Sequence, residues 1–531
     1  MLNAVKVKLW DELVGILTWD SQMHNTYFYF NPEYRKTGLK PFPLNVNERI
    51  LKGDFPAYGN MDNPVYQKLP FFLSGCLPDD WGNELFDKWR ILQRLSVSQI
   101  TPLSKLSFIG QRGMGALEFE PQTSLKITDA ALDVQSLVDL AKKIYEDRNS
   151  FVLTEKDELT MQNLIAVGTS AGGRQAKAII AIDRKTNEIR SGQISGQSNS
   201  DYYLLKFGHH RRNTSEIEMC YYELACASGI DMTQSKLMKV GNENHFITKR
   251  FDRTDNGEKI HMLTLAALDP AADSYEKLML TCRKLGLSYR EQEQIFRRMV
   301  FNVLGNNTDD HSRNFSFLMD KTGKWALSPA YDMTYIFHER GGYLPKDERC
   351  MMINGKKKDI CLEDLLHFAS HNDIQNPKEI IRQVANSLAQ FKRISKKYGV
   401  EDEWSGRIYS LLIRNFINFG FMDKKHNLNS YQTQDGQSVK NIHIEPAQNG
   451  TYHITATVDD TLRKFIIGPK KPGYNIIRDY GECVYSIPFD WLKKLVEIYL
   501  LKSDMDLTVS VNSDLQTPVE EDIIRNLKFK R

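Results

Sequence analysis

The sequence predicts an α+β chain of two lobes, with a β-rich N-terminal subdomain before them and a small αβ appendage after them. Three observations carry that prediction. Strand-like alternation fills the first 125 residues, a glycine cluster near residue 170 runs into an apolar strand, and residues 274–419 read as helices around one polar loop. Apolar residues at a period of two signal strands, and at spacings of three and four they signal amphipathic helices.

At 531 residues the chain has room for two to four domains with sizeable cores. Its 41% hydrophobic and 26% charged residues are those of a soluble globular protein. Seventy basic against 67 acidic residues leave a net charge of +3, so no global field selects nucleic acid or an anionic membrane. The seven cysteines are scattered, with no C-x-x-C or zinc-finger spacing, which points to reduced thiols in a cytoplasmic protein. The N-terminus places charges where a secretory signal needs an apolar core, and no apolar run reaches the roughly 18 residues of a membrane span.

Four regions follow in order. In residues 1–125, Val5, Val7 and Leu9 alternate with Lys6 and Lys8, and Tyr27–Phe30 is an aromatic strand ending in an Asn-Pro turn. A helical segment runs from Phe71 through Trp81, Leu85 and Trp89 to Leu92. The stretch L-S-F-I-G-Q-R-G-M-G-A-L-E-F-E-P (residues 106–121) reads as turn and strand. A phosphate-gripping turn would require a helix to follow its glycines.

In residues 126–253, Leu137, Leu140, Ala141, Ile144 and Tyr145 mark an amphipathic helix, with a linker to about residue 160. The cluster A-V-G-T-S-A-G-G-R-Q-A-K-A-I-I-A-I (residues 166–182) is not a Walker loop, because Arg174 stands where Lys is required. It suits either a flap over phosphates or a hairpin turn. Lys206, in the strand Asp201–Phe207, either reaches nucleotide phosphates or faces solvent. Ser215–Gly229 reads as a helix with Ser215 as N-cap and Gly229 as C-cap. Glu218 near its start either pairs with Lys206 or complements the helix dipole. His245–Arg253 connects onward.

In residues 254–428, helices Ser274–Leu285 and Tyr289–Leu304 deliver the chain to N-N-T-D-D-H-S-R-N-F-S-F-L, beginning at Asn306. Strands at Phe315–Leu318 and Ala326–Leu327 lead to Asp332. Phosphoryl transfer needs a carboxylate to orient the attacking hydroxyl and a few oxygens to hold Mg²⁺ on the phosphates. Asp309, Asn314 and Asp332 offer that set, although acidic and amide residues after a helix also serve as caps and turn formers. Helices at Leu362–Ala369, Pro377–Lys397 and Trp404–Phe419 complete this lobe. Residues 429–531 read as strands Val439–Glu445, Thr451–Val458 and Arg463–Ile467, a helix at Phe489–Leu501 and a charged tail, with no catalytic constellation.

Glycine loop, strand Lys, helix Glu, connector, loop Asp and Asn, and strand-end Asp follow the part order of a bilobal protein-kinase-like fold, although neither H-R-D nor D-F-G occurs. The motifs F-F-L-S-G-C-L-P-D-D-W, L-S-F-I-G-Q-R-G-M-G-A-L-E-F, G-T-S-A-G-G-R-Q-A-K-A, K-R-F-D-R, N-T-D-D-H-S-R-N-F-S, L-S-P-A-Y-D and N-G-K-K-K-D-I-C-L-E-D-L-L make the likeness specific. Over about the first 425 residues the chain resembles the HipA family of bacterial serine/threonine kinases, the toxins of HipA–HipB toxin–antitoxin pairs.

The resemblance implies a β-rich subdomain on a kinase core that uses ATP and Mg²⁺. Asp309 would be the catalytic base, Asn314 and Asp332 the metal ligands, and Lys206 the phosphate lysine, partnered by Glu218. Gly168, Thr169, Ser170, Ala171, Gly172 and Gly173 would form the ATP loop, with Lys249 and Phe251 at the adenine hinge and His311 in the nucleotide site. Ser170 matches a serine that the family phosphorylates on itself, and the added charge would repel ATP phosphates and expel the loop. Implied partners are a translation-related protein with a Ser/Thr acceptor, in the best-known case an aminoacyl-tRNA synthetase, and a small helix-turn-helix antitoxin. DNA contact would be indirect, through that antitoxin.

Two departures stand out: Lys249 replaces an acidic hinge residue, and the region after residue 430 has no counterpart in the well-known members. Two other readings are a non-catalytic pseudokinase that binds an antitoxin or DNA, and a small-molecule kinase on the same core. Retention of Lys206, Asp309, Asn314 and Asp332 together argues for catalysis.

Overall fold

The computed structural model describes residues 2–123, 131–146, 155–168, 175–194, 196, 199–209, 212–337 and 348–421, and the backbone of five strands beyond residue 429. The chain divides into two compact units, Met1–Val303 with Asn307–Pro377, and Leu304–Asn306 with Lys378–Arg531.

The N-terminal alternation folds as an antiparallel sheet of β1 (Ala4–Leu9), β2 (Glu12–Asp20), β3 (Asn25–Phe30), β4 (Ala57–Tyr58) and β5 (Leu117–Glu120), in the order β4-β3-β2-β1-β5. Val5, Val7 and Leu9 are buried while Lys6 stays exposed, because successive side chains leave opposite faces. Phe28, Phe30, Phe42 and Phe72 form one aromatic core, with the Phe42 and Phe72 rings 4.4 Å apart. Against this sheet lie α1 (Glu48–Leu51), α2 (Phe71–Ser74) and α4 (Pro102–Ile109), while α3 (Asp80–Leu92) reaches the next sheet, where the Trp81 indole N–H donates to the Lys177 carbonyl at 2.9 Å.

The helix expected from Phe71 to Leu92 is thus two helices. Pro78 lies in the gap, and proline disfavours helical geometry at the residue before it. Asp79 then caps α3, its carboxylate accepting from the Gly82 N–H at 2.7 Å, a contact worth about 1 kcal/mol.

A second antiparallel sheet is preceded by α5 (Val134–Glu146) and α6 (Glu155–Val167). It comprises β6 (Lys177–Asp183), β7 (Ile189–Ser191), β8 (Ser200–Lys206), β9 (Ser235–Val240) and β10 (Glu243–Lys249), ordered β7-β6-β8-β10-β9, with α7 (Thr214–Ala227) between β8 and β9 in sequence. The expected linker gives way to α6, whose Met161, Leu164 and Ile165 have helical spacing and are fully buried. Ser215 is not the N-cap of α7. That place belongs to Asn213 in the left-handed region, and Ser215 is buried one position inside the helix. A Cβ on Gly208 would meet the Ser215 hydroxyl at 2.4 Å, so glycine lets the chain after β8 pass close to α7.

The unit continues through β11 (His261–Thr264), α8 (Leu265–Leu268), α9 (Tyr275–Lys284), α10 (Tyr289–Leu304), β12 (Ser316–Met319), β13 (Trp325–Leu327) and α11 (Leu362–His371), with sheet order β11-β12-β13. In the second unit, the helix expected over Pro377–Lys397 is broken into α12 (Pro377–Leu388) and α13 (Phe391–Lys397). The Gln390 N–H bonds to Ser387, which tightens the chain there into a 3₁₀ turn. After α14 (Asp402–Asn418) come β14 (Ser430–Thr433), β15 (Ser438–Ala447), β16 (Thr451–Val458), β17 (Thr461–Ile467) and β18 (Leu507–Thr508), ordered β17-β16-β15-β14-β18. The helix expected at Phe489–Leu501 lies outside the described residues. No helix among the described residues is long and apolar enough to cross a membrane.

Candidate active site

Lys206 ends β8, in register with Lys177 of β6 on one side and Phe246 of β10 on the other. A central-strand position buries its stem and aims its ammonium at α7. There it meets Glu218 Oε1 at 2.5 Å and also the Asp332 carboxylate. Burial opposes the lysine's charge, but Asp332 and Glu218 outweigh it and raise its pKa above the ordinary value. Burial pushes the Glu218 carboxyl up, opposed by Lys206 and reinforced by Asp332. Asp332 is held below the usual carboxylate range: burial works against its charge, yet Lys206, Lys177 and His311 prevail. One ammonium therefore serves two carboxylates, and the Asp332 side chain remains 25% exposed.

Asp332 has φ +53°, in the left-handed region, where a non-glycine residue persists only if its surroundings hold it. Lys206 grips its carboxylate, and the amide nitrogen of Asn307 donates to its main-chain carbonyl at 3.3 Å. The Asn314 amide nitrogen donates to the carbonyl of Asp309 at 2.9 Å, which turns the Asn314 amide oxygen away from that bond. Asn314 and Asp332 line one small cleft, together with Asn302, Asn307 and Asp310. A larger hollow of about 340 Å³, lined by residues that include Glu276, Asn354, His367 and His371, contains none of these.

The neighbours Asp309 and Asp310 have opposite surroundings. The Asp309 side chain is 44% exposed, with His311 Nε2 at 4.0 Å and the Cys350 thiol at 3.5 Å. Asp310 is 1% exposed. It accepts from the Tyr275 hydroxyl at 2.7 Å and from the N–H groups of Cys350 and Met351 at 3.0 and 3.2 Å, with Arg349 at 3.6 Å. Burial raises its pKa, opposed chiefly by Arg349 and Tyr275. Asp310, Tyr275, Asn302, Asn307 and Arg349 were not singled out from the sequence. Their signal is an acidic or amide residue beside a buried tyrosine or arginine, and that pairing exists only in the fold.

K-R-F-D-R divides its labour. Asp252 lies between Arg250 (2.7 Å) and Arg253 (2.9 Å) and accepts from the Gly115 N–H at 2.6 Å, while Arg253 donates to the Gly115 carbonyl. Gly115 has φ +77°, and a Cβ there would sit 2.9 Å from the Met262 nitrogen. The motif's charges thus fasten the turn before β5 to the end of β10. Lys249 reaches Asp255 and Asp201 with its side chain; its N–H bonds to Gln234 and its carbonyl to the Thr233 hydroxyl. The Phe251 ring lies 5.6 Å from that of Tyr331, and its backbone N–H and carbonyl have no hydrogen-bond partner among the described residues.

Gly168 closes α6, where a Cβ would meet Leu85 at 2.1 Å. Arg112 donates to the Phe108 carbonyl at 2.5 Å and to Ile165 and Gly168. Thr169, Ser170, Ala171, Gly172 and Gly173 lie outside the described residues.

The donor set fits magnesium. Asn314 and Asp332 offer hard oxygens on one cleft, and Mg²⁺ usually takes one or two protein ligands, with water and phosphate in its other positions. Among the described residues no group of three or more His, Cys, Asp or Glu is arranged to hold a metal, and a site of that kind needs none.

A family model described as the HipA N-terminal domain matches residues 5–120, and one described as the HipA-like C-terminal domain matches residues 169–392. The chain belongs to the HipA family. Relatives include a Haemophilus influenzae protein named as a candidate kinase, 30% identical over 127 residues, a match covering 20% of this chain and 37% of that protein. A Sinorhizobium fredii protein also named as a candidate kinase is 23% identical over 402 residues, covering 74% of this chain and 91% of its own. The serine/threonine-protein kinase toxin HipA of Shewanella oneidensis is 20% identical over 361 residues, covering 63% of this chain and 75% of its own. Among solved structures, the complex of Shewanella oneidensis HipA, HipB and operator DNA contains a chain matched with a TM-score of 0.54 at 15% identity, over 78% of this chain and 97% of that one. The likeness is one of fold, and it supports an α+β kinase-like architecture.

Proposed function

We propose that this HipA-family protein is an ATP- and Mg²⁺-dependent serine/threonine protein kinase of the toxin type. The observation that carries the reading is the shared ammonium of Lys206, set between Glu218 and a partly exposed Asp332, with the Asn314 amide on the same cleft. Lys206, held in place by Glu218, would steady nucleotide phosphates. Asn314 and Asp332 would hold Mg²⁺, which supplies positive charge at the phosphoryl oxygens when bound. Asp309, exposed beside that cleft, would orient the acceptor hydroxyl and take its proton. His311 stands 4.0 Å from Asp309 and also helps to hold the Asp332 carboxylate charged.

The backbone of Lys249 is already hydrogen-bonded, so at the hinge the open N–H and carbonyl of Phe251 are the better adenine partners. Gly168–Gly173 would cover the phosphates, with Ser170 as the self-phosphorylated switch. The division at residues 125, 253 and 428, a translation-related protein substrate, a HipB-like helix-turn-helix antitoxin carrying any DNA contact, and a cytoplasmic setting belong to the same proposal.

The test is transfer of labelled γ-phosphate. Asp309→Asn should lower it about 10²- to 10⁴-fold, the usual worth of a positioned base, with nucleotide binding retained. Parent-level labelling by that variant would remove Asp309 from the mechanism.

A further inference from the structure

Asn307 is 2% exposed and lies just after α10. Its amide nitrogen donates twice, to Asn302 Oδ1 at 3.0 Å and to the main-chain carbonyl of Asp332 at 3.3 Å. Its amide oxygen is buried and has no hydrogen-bond partner among the described residues. An unpaired buried acceptor costs about 1–3 kcal/mol, so its persistence calls for an explanation.

The amide cannot be turned over to relieve it. The Asp310 carboxylate receives two backbone N–H groups and stands beside Arg349, so it acts as an acceptor and Tyr275 must donate to it. The tyrosine oxygen is then left to accept, and Asn302 must present its NH₂ group to it at 3.0 Å. That turns Asn302 Oδ1 toward Asn307, which must answer with its own NH₂ group. The chain from Asp310 through Tyr275 and Asn302 to Asn307 runs one way, and the atom left over is Asn307 Oδ1. Asn307 lines the same cleft as Asn314 and Asp332.

We propose that Asn307 is a further residue of the metal–nucleotide site, its amide oxygen accepting a hydrogen bond from water held on the divalent cation at Asn314 and Asp332. The inference rests on the reading of that cleft given above. Mg²⁺ keeps several of its waters when bound, and oxygens that receive their hydrogens orient the ion. Through its nitrogen the same side chain holds the Asp332 carbonyl, so both ends of the amide act on one ligand set.

The probe is Mn²⁺ with a non-hydrolysable ATP analogue, followed by electron paramagnetic resonance on the full chain, with Asp332→Asn as the reference variant. Asn307→Ala should weaken Mn²⁺ binding about tenfold, while the metal-free analogue binds within about twofold of the parent. Tyr275→Phe preserves the packing but frees Asn302 to turn over, and should weaken Mn²⁺ by about threefold. A merely structural role would lower thermal stability without singling out the metal. Parent-like Mn²⁺ affinity in Asn307→Ala, with Asp332→Asn weakened, overturns this proposal and leaves the kinase reading standing. Parent-like affinity in both variants overturns the two together. If Asn307→Ala fails to fold, loss or retention of Mn²⁺ affinity in Tyr275→Phe decides.

Discussion

Two charge clusters in the same unit have opposite balance. Around Asp252 two guanidinium groups enclose one carboxylate, and none of the three side chains is more than 2% exposed. Around Lys206 one ammonium faces two carboxylates, and one of these, Asp332, stays 25% exposed. The first cluster is sealed from solvent, and the Gly115 N–H and carbonyl bond to Asp252 and Arg253, while Arg250 Nη1 and Arg253 Nε have no hydrogen-bond partner among the described residues. Burial opposes the Asp252 charge, yet Arg250 and Arg253 hold its pKa well below the usual carboxylate range. The second cluster is over-acidic and open on one side, which is the condition for admitting a cation from solution. A buried charge network closed to solvent fastens elements together, and one open to solvent with an excess of carboxylates is available for chemistry.

The sharpest way to break that contrast is to remove the lysine. Lys206→Met should lower phosphoryl transfer about 10²- to 10³-fold, the effect of losing one positioned cationic donor. Asp332 can still reach water through the open side, and the buried Glu218 carboxyl, already raised by burial, can take up a proton, so the fold should survive. Labelled-phosphate assays beside thermal denaturation check this, and collapse of the fold with no catalytic readout would place Lys206 in the fastening class.

Asp252→Asn should do the reverse. It leaves two buried guanidinium groups without their counter-charge, a loss of about 3–5 kcal/mol when one partner of a buried pair is removed. Urea denaturation should show it, with nucleotide affinity of the folded fraction unchanged. Parent-like stability would mean the arginines find other acceptors.

Lys206, Glu218, Asp309, Asn314 and Asp332 could be named from the sequence because residue type states the chemistry and chain order matches a known part list. That Asp309 stays exposed while Asp310 is buried is not written in residue type. They are identical and differ only in that Tyr275 and Arg349, 35 and 39 residues away, converge on the second. K-R-F-D-R was legible as a motif but not as a clamp, because the Asp252–Gly115 bond joins residues 137 apart. Helix α6 is hard to read locally because its first half, Glu155–Thr160, is mostly polar, and the helical spacing of Met161, Leu164 and Ile165 begins only beyond it.

Acid should loosen the end of β8 before it breaks the sealed cluster. His245 is fully buried, and its Nδ1 accepts from the Gly208 N–H at 2.9 Å, two residues beyond Lys206. Burial lowers its pKa from 6.5 to about 4, so the folded ring is neutral where the unfolded one takes up a proton. The unfolded chain therefore binds more protons between those values. This contribution to stability is complete above about pH 6.5 and falls toward pH 4, by at most about 1.4 kcal/mol per pH unit. Buried His261, also lowered to about 4, adds a parallel slope. Denaturation midpoints measured through that window in the parent and in His245→Gln should differ in slope by up to one proton; identical slopes would mean the ring is not held neutral.

The smallest effect expected is at Cys350, and it separates side chain from backbone. Its N–H donates to the buried Asp310, while its thiol lies 3.5 Å from the exposed Asp309. Burial, followed by Asp309 and Asp310, pushes the thiol pKa up to about 12, so it stays a neutral and weak donor. Cys350→Ala keeps the N–H bond and deletes only the thiol contact. The rate should change about threefold or less, within the range of one modest hydrogen bond. A hundredfold loss would mean that the thiol, and not the backbone of the Arg349–Met351 segment, aligns Asp309, and the division between a buried anchoring aspartate and an exposed reactive one would have to be redrawn around the sulfur.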